Sequence, residues 1–230
     1  MPRPSSAIEV YIEAGSRRAF AGAVAWPGWC RMGREEPEAL DALVLYGPRY
    51  ADVVRGIRPA FRAPRAAGAL KVVERLRGDA TTDFGAPSIA PKADTTPIDD
   101  PELKRLTAIL NACWKGFDRG VEGAGGTRLR KGPRGGGRNL GDIVAHVAGA
   151  EAGYLAHVAA KSPKMNTRLA RADIDRERES VLDALNRAVV EGLPDSGPRG
   201  GKIWLPRYFV RRVAWHALDH AWEIEDRSTS

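Results

Sequence analysis

Residues 211–227 read RRVAWHALDHAWEIEDR, and this stretch predicts both a buried helix and a metal site. Apolar residues such as Val213 and Ile224 recur there at the spacing of one helix face. His216 and His220 fall on that same face, because residues four apart project from the same side of a helix. Two imidazoles placed in this way can bind one metal ion.

A third histidine, His146, lies in another segment of helical pattern, GDIVAHVAGAEAGYLAHV. Three nitrogen ligands leave coordination positions open, which is typical of a catalytic metal. His157 shares a face with His146, but it would lie about 16 Å further along the helix axis and is not expected to bind the same ion. The alternative is that these are core histidines, each hydrogen-bonded to a carbonyl or a carboxylate.

Charged residues close to the histidines are candidates for orienting them. Metal-bound imidazoles usually donate their second N–H to a carboxylate or a carbonyl, and we predict this acceptor role for Glu151, Asp219 and Glu223. Arg212, one turn before His216, is predicted to pair with Glu151 or to bind a substrate anion. Ordinary surface ion pairs are the alternative.

Small residues follow His146 on its side of the helix, at Gly149, Ala150 and Gly153. Each glycine costs a helix about 1 kcal/mol relative to alanine. Their presence predicts open space over the metal, with close helix packing as the alternative.

Helical periodicity extends over the second half of the chain and predicts a four-helix bundle. Its helices are expected to begin near Asp99 and then to cover residues 139–160, 173–191 and 205–227. The connection 161–172 is long enough, at about 3.3 Å per extended residue, to cross the bundle.

The first part of the chain mixes strand and helix patterns, and the whole is predicted to be α+β. A small N-terminal α/β domain is expected at residues 1–80, a linker at 81–98 and the bundle at 99–230. The predicted elements of the first domain are strands at 8–13, 18–26 and 70–76 and a helix at 36–54 that Gly47-Pro48 splits.

Composition favours a globular protein, with 43% hydrophobic and 28% charged residues. No apolar run is long enough to cross a membrane and no signal peptide is recognisable, so a cytoplasmic location is expected. The net charge of +7 permits anionic partners, but no nucleic-acid-binding motif accompanies it. Cys30 and Cys113 are predicted to be buried free thiols.

The glycine-rich loop at 123–138 carries several cations and enters the predicted second helix about two turns before His146. We expect it to border the site and to hold carboxylates or phosphates of a substrate, with a solvated loop as the alternative. The residues predicted for this role are Arg128, Arg130 and Arg134.

His146, the acidic residue Glu151 after it, and the pair His216 and His220 resemble the DinB/YfiT-like superfamily over about residues 99–227. The resemblance implies a four-helix bundle with a long crossover between its second and third helices. It also implies a divalent metal, commonly zinc or nickel, held by the three histidines. Members of known activity are often transferases that use a low-molecular-weight thiol such as mycothiol, bacillithiol or glutathione, and mycothiol-dependent maleylpyruvate isomerase is a related enzyme. The implied partners are therefore a small-molecule thiol and an electrophilic substrate.

The run WPGWCRMGREEPEAL at residues 26–40, which follows two predicted strands, resembles HicB-type antitoxin domains. Such proteins often add a DNA-binding helical module, and this chain has the metal-site pattern in its place. Three classes of function therefore remain: a metal-dependent S-transferase or hydrolase, a non-catalytic metal-bound scaffold in a stress response, and a HicB-like binding module for a toxin or nucleic acid.

A second apolar stripe on the last helix contains Trp215, Leu218 and Trp222. One face of a bundle helix is normally wet, and this stripe would leave two tryptophans in water. We expect the N-terminal domain or a second subunit of a homodimer to cover it.

Overall fold

The computed structural model describes residues 7–131, 137–164, 166, 169–197 and 200–228. The chain divides into two compact units, Met1–Pro97 and Ile98–Ser230. This division falls close to the predicted start of the helical region at residue 99. The first unit combines a sheet with short helices and the second is helical, which confirms the predicted α+β class.

The first unit contains a mixed four-stranded sheet in the order β3-β2-β1-β4. Its two hairpin pairs are antiparallel, whereas β4 runs parallel to β1. The strands are β1 Ile8–Ala14, β2 Ala19–Ala23, β3 Cys30–Gly33 and β4 Leu70–Arg77. Helices α1, Glu36–Leu45, and α2, Gly47–Val53, lie between β3 and β4, and the break between them falls at the predicted Gly47-Pro48.

An aromatic cluster forms much of the core of this unit. The ring of Phe61 lies 4.8 Å from Trp29, 5.0 Å from Tyr50 and 5.1 Å from Trp26, measured between centroids. Trp29 is fully buried, and its indole N–H donates to the carbonyl of Leu43 at 2.9 Å. The WPGWC motif is therefore a folding element, because its rings and polar atoms fix α1 and α2 against the sheet.

The predicted linker at 81–98 needs correcting, because most of it is ordered within the first unit. Helix α3, Ala80–Phe84, is capped by Asp79 and closed by Gly85 in the left-handed region. The carboxylate of Glu13, fully buried on β1, then accepts hydrogen bonds from the backbone of Ser88 and Ile89. A buried carboxylate needs such donors, and they fix a segment whose composition alone indicates a loop.

The second unit has four helices: α4 Asp100–Gly123, α5 Leu140–Leu155, α6 Arg171–Val190 and α7 Pro206–Ser228. The side chain of Asp99 caps α4 and that of Asn139 caps α5, each accepting a backbone N–H at 2.9 Å. Side-chain caps of this kind satisfy backbone N–H groups in the first turn of a helix. Helix α5 ends earlier than predicted, at Leu155, and continues as a short 3₁₀ turn, Ala156–Val158.

Helix α7 is the central element of this unit and packs against α4, α5 and α6. Every residue from Tyr208 to Leu218 is buried. A side chain added at Gly120 on α4 would lie 3.3 Å from the carbonyl of Ala221, so the glycine permits a close approach of α4 and α7. None of the helices in the described part of the chain combines the length and apolarity that a bilayer crossing requires.

The second apolar stripe of α7 is not exposed to solvent. Trp215, Leu218 and Trp222 are all buried. The expectation that they avoid water is therefore met, and the identity of the surface that covers them stays a prediction.

The Trp29 hydrogen bond gives a test of the first unit. Replacing Trp29 with Phe keeps an aromatic ring but leaves the buried Leu43 carbonyl without its donor. We expect the free energy of unfolding to fall by about 1–3 kcal/mol, measured by chemical denaturation. Replacing the exposed Phe84 with Leu is the control and is expected to change it by less than about 0.5 kcal/mol. An equal change in the free energy of unfolding for the two variants would contradict a stabilising role of the Trp29 hydrogen bond.

Candidate functional site

Helices α5 and α7 bring three histidines together. His146 comes from α5, and His216 and His220 come from successive turns of α7. Their ligand nitrogens all lie within 4.8 Å of one another, and the ring centroids are 4.7–4.9 Å apart. These three are the residues predicted from the sequence as metal ligands.

The spacing of the nitrogens fits a metal site. Two nitrogens bound to one zinc ion at about 2.0–2.1 Å lie about 3.3–3.4 Å apart at a tetrahedral angle. The Nε2 atoms of His146 and His216 are 3.2 Å apart. That distance also suits a hydrogen bond between two imidazoles. The donor set of three imidazoles suits zinc, copper, iron and nickel.

His220 is oriented by a chain of charged groups. Its Nδ1 pairs with Oε2 of Glu223 at 2.7 Å, which leaves its Nε2 for the cluster. The other carboxylate oxygen of Glu223 accepts from Arg227 at 2.6 Å. Arg227 in turn donates to the carbonyls of Arg130 and Arg138, each at 2.8 Å. This arrangement is the carboxylate–histidine support expected behind a metal ligand, and it extends to the loop before α5.

Burial favours the neutral forms of His146 and His216, and metal ligands need neutral imidazoles. Burial, helped by the nearby His220, lowers the pKa of His146 and lowers that of His216 well below its usual value. The pKa of Glu223 is also lowered, chiefly because His220 hydrogen-bonds to it. In the described part of the chain, the buried Nδ1 of His216 has no hydrogen-bond partner.

The face of α5 beside His146 is open. Gly149 and Gly153 are exposed, and a side chain added at either would meet no atom within 4 Å. Close packing does not explain these glycines, and the open space favours access to the histidines from this side.

The predicted role of Glu151 needs correcting. Its Oε1 accepts a hydrogen bond from the indole N–H of Trp114 at 2.7 Å, so it supports the contact between α4 and α5. Burial raises its pKa to about 7. Glu177, fully buried on α6, has its pKa raised by burial as well. Asp219 is partly exposed on α7, and its role beside the histidines stays a prediction.

Arg212 lies on the α5 side of α7 but does not join the histidines directly. Its guanidinium donates to the hydroxyl of Tyr154 at 3.2 Å. Its pairing with Glu151 or with a substrate anion stays a prediction. The ring of Tyr154 is 5.9 Å from that of His216. His157 stacks on Trp204 at 4.1 Å and pairs with the carbonyl of Lys202, apart from the cluster as predicted.

The basic loop is attached to the end of α7. The backbone N–H of Arg130 donates to the carbonyl of Arg227 at 2.9 Å, and the side chain of Arg227 donates to the carbonyl of Arg130 at 2.8 Å. The guanidinium of Arg130 donates to the carbonyl of Asp226 at 2.6 Å. Arg130 therefore anchors the loop, and its role as a substrate ligand stays a prediction. Arg128 is exposed, and Arg134 lies outside the described residues.

Two residues of the site were missed by sequence reasoning. Arg227 follows Glu223 by four residues and His220 by seven, a spacing that places all three on one helix face. Tyr154 follows His146 by two turns on α5. Both signals are visible in the sequence once the histidines are taken as the reference.

Comparisons of this chain with protein-family models, curated proteins and solved structures give no match. The class of protein is therefore defined by its own fold and site. It is an α+β chain whose helical unit carries a three-histidine cluster beside an open face of α5, with His216 and His220 buried and His146 partly buried.

Glu151 predicts a pH dependence of stability. A carboxyl whose pKa is raised on folding contributes stability that is fully present below its unfolded pKa of 4.5 and is lost as the pH rises through about 7. The Glu151→Gln variant keeps an acceptor for Trp114 and cannot ionise. As the pH rises from 4.5 to 8, the free energy of unfolding of this variant should increase relative to that of the natural protein by up to about 3 kcal/mol.

The measurement is chemical denaturation of both proteins at several pH values, followed by helix content. Effects of the other titrating groups cancel in the difference between the two proteins. A constant difference across this pH range would show that burial does not shift Glu151.

Glu223 predicts a supporting effect on the metal. Removing its carboxylate in Glu223→Ala frees the His220 ring, and we expect metal affinity to fall about 10–100-fold. Glu151→Gln is the matched control, since that carboxyl bonds to Trp114, and its affinity should not change. Competition with a chelating dye measures both, and equal affinities for the two variants would contradict the role given to Glu223.

Proposed function

We propose that the helical unit is a DinB/YfiT-like four-helix bundle that binds one divalent ion, zinc or nickel, through His146, His216 and His220. The observation that carries this proposal is the convergence of three imidazoles from two helices within 4.8 Å. The Glu223 support of His220 and the low pKa of His216 agree with it.

We further propose that the protein is a thiol-dependent S-transferase that joins a low-molecular-weight thiol to an electrophilic substrate. The bound ion would supply Lewis acidity, which lowers the pKa of a coordinated thiol. The thiol is taken to come from outside the chain, because Cys30 and Cys113 are both buried. Burial also raises the pKa of Cys113, which disfavours its thiolate.

The residues around the cluster have distinct tasks in this proposal. The lowered pKa values of His146 and His216 favour their neutral forms, and Glu223 fixes the direction of His220. The open face at Gly149 and Gly153 admits the substrate. Tyr154 keeps its proton, since burial raises its pKa, and so it can donate a hydrogen bond at the edge of the site.

For the first unit we propose a HicB-like fold. The support is the order of its elements, three antiparallel strands followed by α1 and then by β4 parallel to β1. A HicB-like binding module for a toxin or nucleic acid remains an alternative role for this unit, and a non-catalytic metal-bound scaffold remains one for the helical unit.

Metal content tests the central proposal. Protein purified without added metal and without a polyhistidine tag should contain about one divalent ion per chain, measured by mass spectrometry of the metals. His146→Ala, His216→Ala and His220→Ala should each lower the occupancy sharply. His157→Ala is the control and should retain the ion, because that ring stacks on Trp204. Full occupancy in a His216→Ala/His220→Ala double variant would overturn the site.

A conjugation assay separates the transferase from the scaffold. The metal-loaded protein is incubated with glutathione or cysteine and the electrophile monobromobimane, and the rate of thioether formation is followed by fluorescence. The transferase proposal expects a rate above the uncatalysed one that disappears in His216→Ala. A metal-loaded protein with no such rate for any small thiol would favour the scaffold.

A further inference from the structure

The connection between α2 and β4 in the first unit concentrates positive charge. Residues 53–73 contain four arginines and one lysine and no aspartate or glutamate. The four arginines, Arg55, Arg58, Arg62 and Arg65, precede β4 and are all exposed. We call residues 54–69 the arginine loop.

Three of these arginines have no partner in the described part of the chain. Arg55 pairs with Asp52. The side chains of Arg58, Arg62 and Arg65, in contrast, form no hydrogen bond or ion pair with any described residue. Their like charges repel one another and are not neutralised within the unit, so the loop presents positive potential to the solvent.

The arginine loop is held against the core of the first unit. The ring of Phe61 lies within 5.1 Å of three rings of the aromatic cluster, measured between centroids. Pro64 is buried, and a side chain added at Gly47 would lie 3.3 Å from it. Arg62 and Arg65 directly follow these two anchored residues, so their backbone positions are fixed before a partner binds. A fixed loop loses less conformational entropy on binding than a flexible one.

We infer that the arginine loop is a docking surface for nucleic acid, in which Arg58, Arg62 and Arg65 bind backbone phosphates. This inference concerns the first unit. It goes beyond the metal site proposed for the second unit and does not depend on it. Phosphate contacts carry no sequence information, so the surface should bind strands of any sequence.

The chemistry of the loop favours a phosphate backbone over other anionic partners. A guanidinium offers paired N–H donors that match the oxygens of a phosphate. Successive arginines are three or four residues apart, which limits their Cα separation to about 14 Å, so one short stretch of nucleic acid can meet all three. A membrane-binding segment normally adds exposed apolar residues that enter the lipid. In this loop Val54 is buried, and Ile57 and Phe61 are partly buried.

The test measures binding of labelled nucleic acids to the full chain by fluorescence anisotropy at several salt concentrations. The probes are an oligothymidylate of about 20 nucleotides, longer than most single-strand sites, and a duplex of the same length. The variant Arg58→Ser/Arg62→Ser/Arg65→Ser should bind the preferred probe about 10–100-fold more weakly at low salt. The slope of log affinity against log salt should become shallower by about 2 for a single strand or about 3 for a duplex.

A matched control removes the same charge from other exposed positions of the first unit. In Arg34→Ser/Lys71→Ser/Arg75→Ser, each replaced cation pairs with a carboxylate in the natural protein. This control should keep the salt slope of the natural protein. Replacing the three loop arginines with lysine keeps their charge and should retain most of the affinity. Because exposed ion pairs contribute little, all three variants should melt close to the natural protein.

Four results would overturn the inference. The first is that neither probe binds the natural protein, and the second is that the control variant loses as much affinity as the serine variant of the loop. The third is an unchanged salt slope in a folded serine variant. The fourth is loop-dependent binding to phosphatidylserine vesicles without binding to either probe, which would make the partner a membrane surface. Metal content should be equal in all variants, so the metal-site proposal stands or falls separately.

Discussion

The burial of α7 is the constraint on which the helical unit depends. A buried helix can carry polar side chains only if they find partners, because an unpaired polar group in the interior costs free energy. His220, Arg212 and Arg227 are all less than a tenth exposed. His220 pairs with Glu223 at the end of α7, Arg212 donates to Tyr154 on α5, and Arg227 donates to carbonyls of the loop before α5. These contacts fix the three segments around the histidines.

The two ends of the histidine row are built differently. Toward the C-terminus of α7, Glu223 and Arg227 form a continuous chain of charged hydrogen bonds that ends at backbone carbonyls. Toward its N-terminus, Arg212 lies near the rings of Trp204 and Trp215 and donates to the hydroxyl of Tyr154. The first arrangement fixes a ring direction, as a metal ligand requires, and the second holds the guanidinium of Arg212 in place. The two ends of the histidine row on α7 therefore have different surroundings.

Sequence spacing predicted the histidine cluster because helix periodicity alone decides which side chains share a face. It predicted three of the four strands but missed β3, since Cys30–Gly33 is too short to show alternation. The order in residues 81–98 was invisible because it depends on Glu13, far away in sequence. Glu151 was misplaced for a related reason: it lies five residues after His146, which turns it to another side of α5, toward Trp114.

Helix α5 carries both kinds of titrating group, and burial drives each toward its neutral form. The pKa of Glu151 rises and that of His146 falls, so the surroundings of the helix disfavour charge of either sign. A divalent ion on three neutral imidazoles would keep its full charge in these surroundings. Glu223 would offset part of the charge of the ion. The pKa of His216 is lowered mainly by burial and then by His220, and the positive charges of Arg212 and Arg138 lower it further. With an ion bound, this balance of charge would favour an anionic ligand over a neutral one.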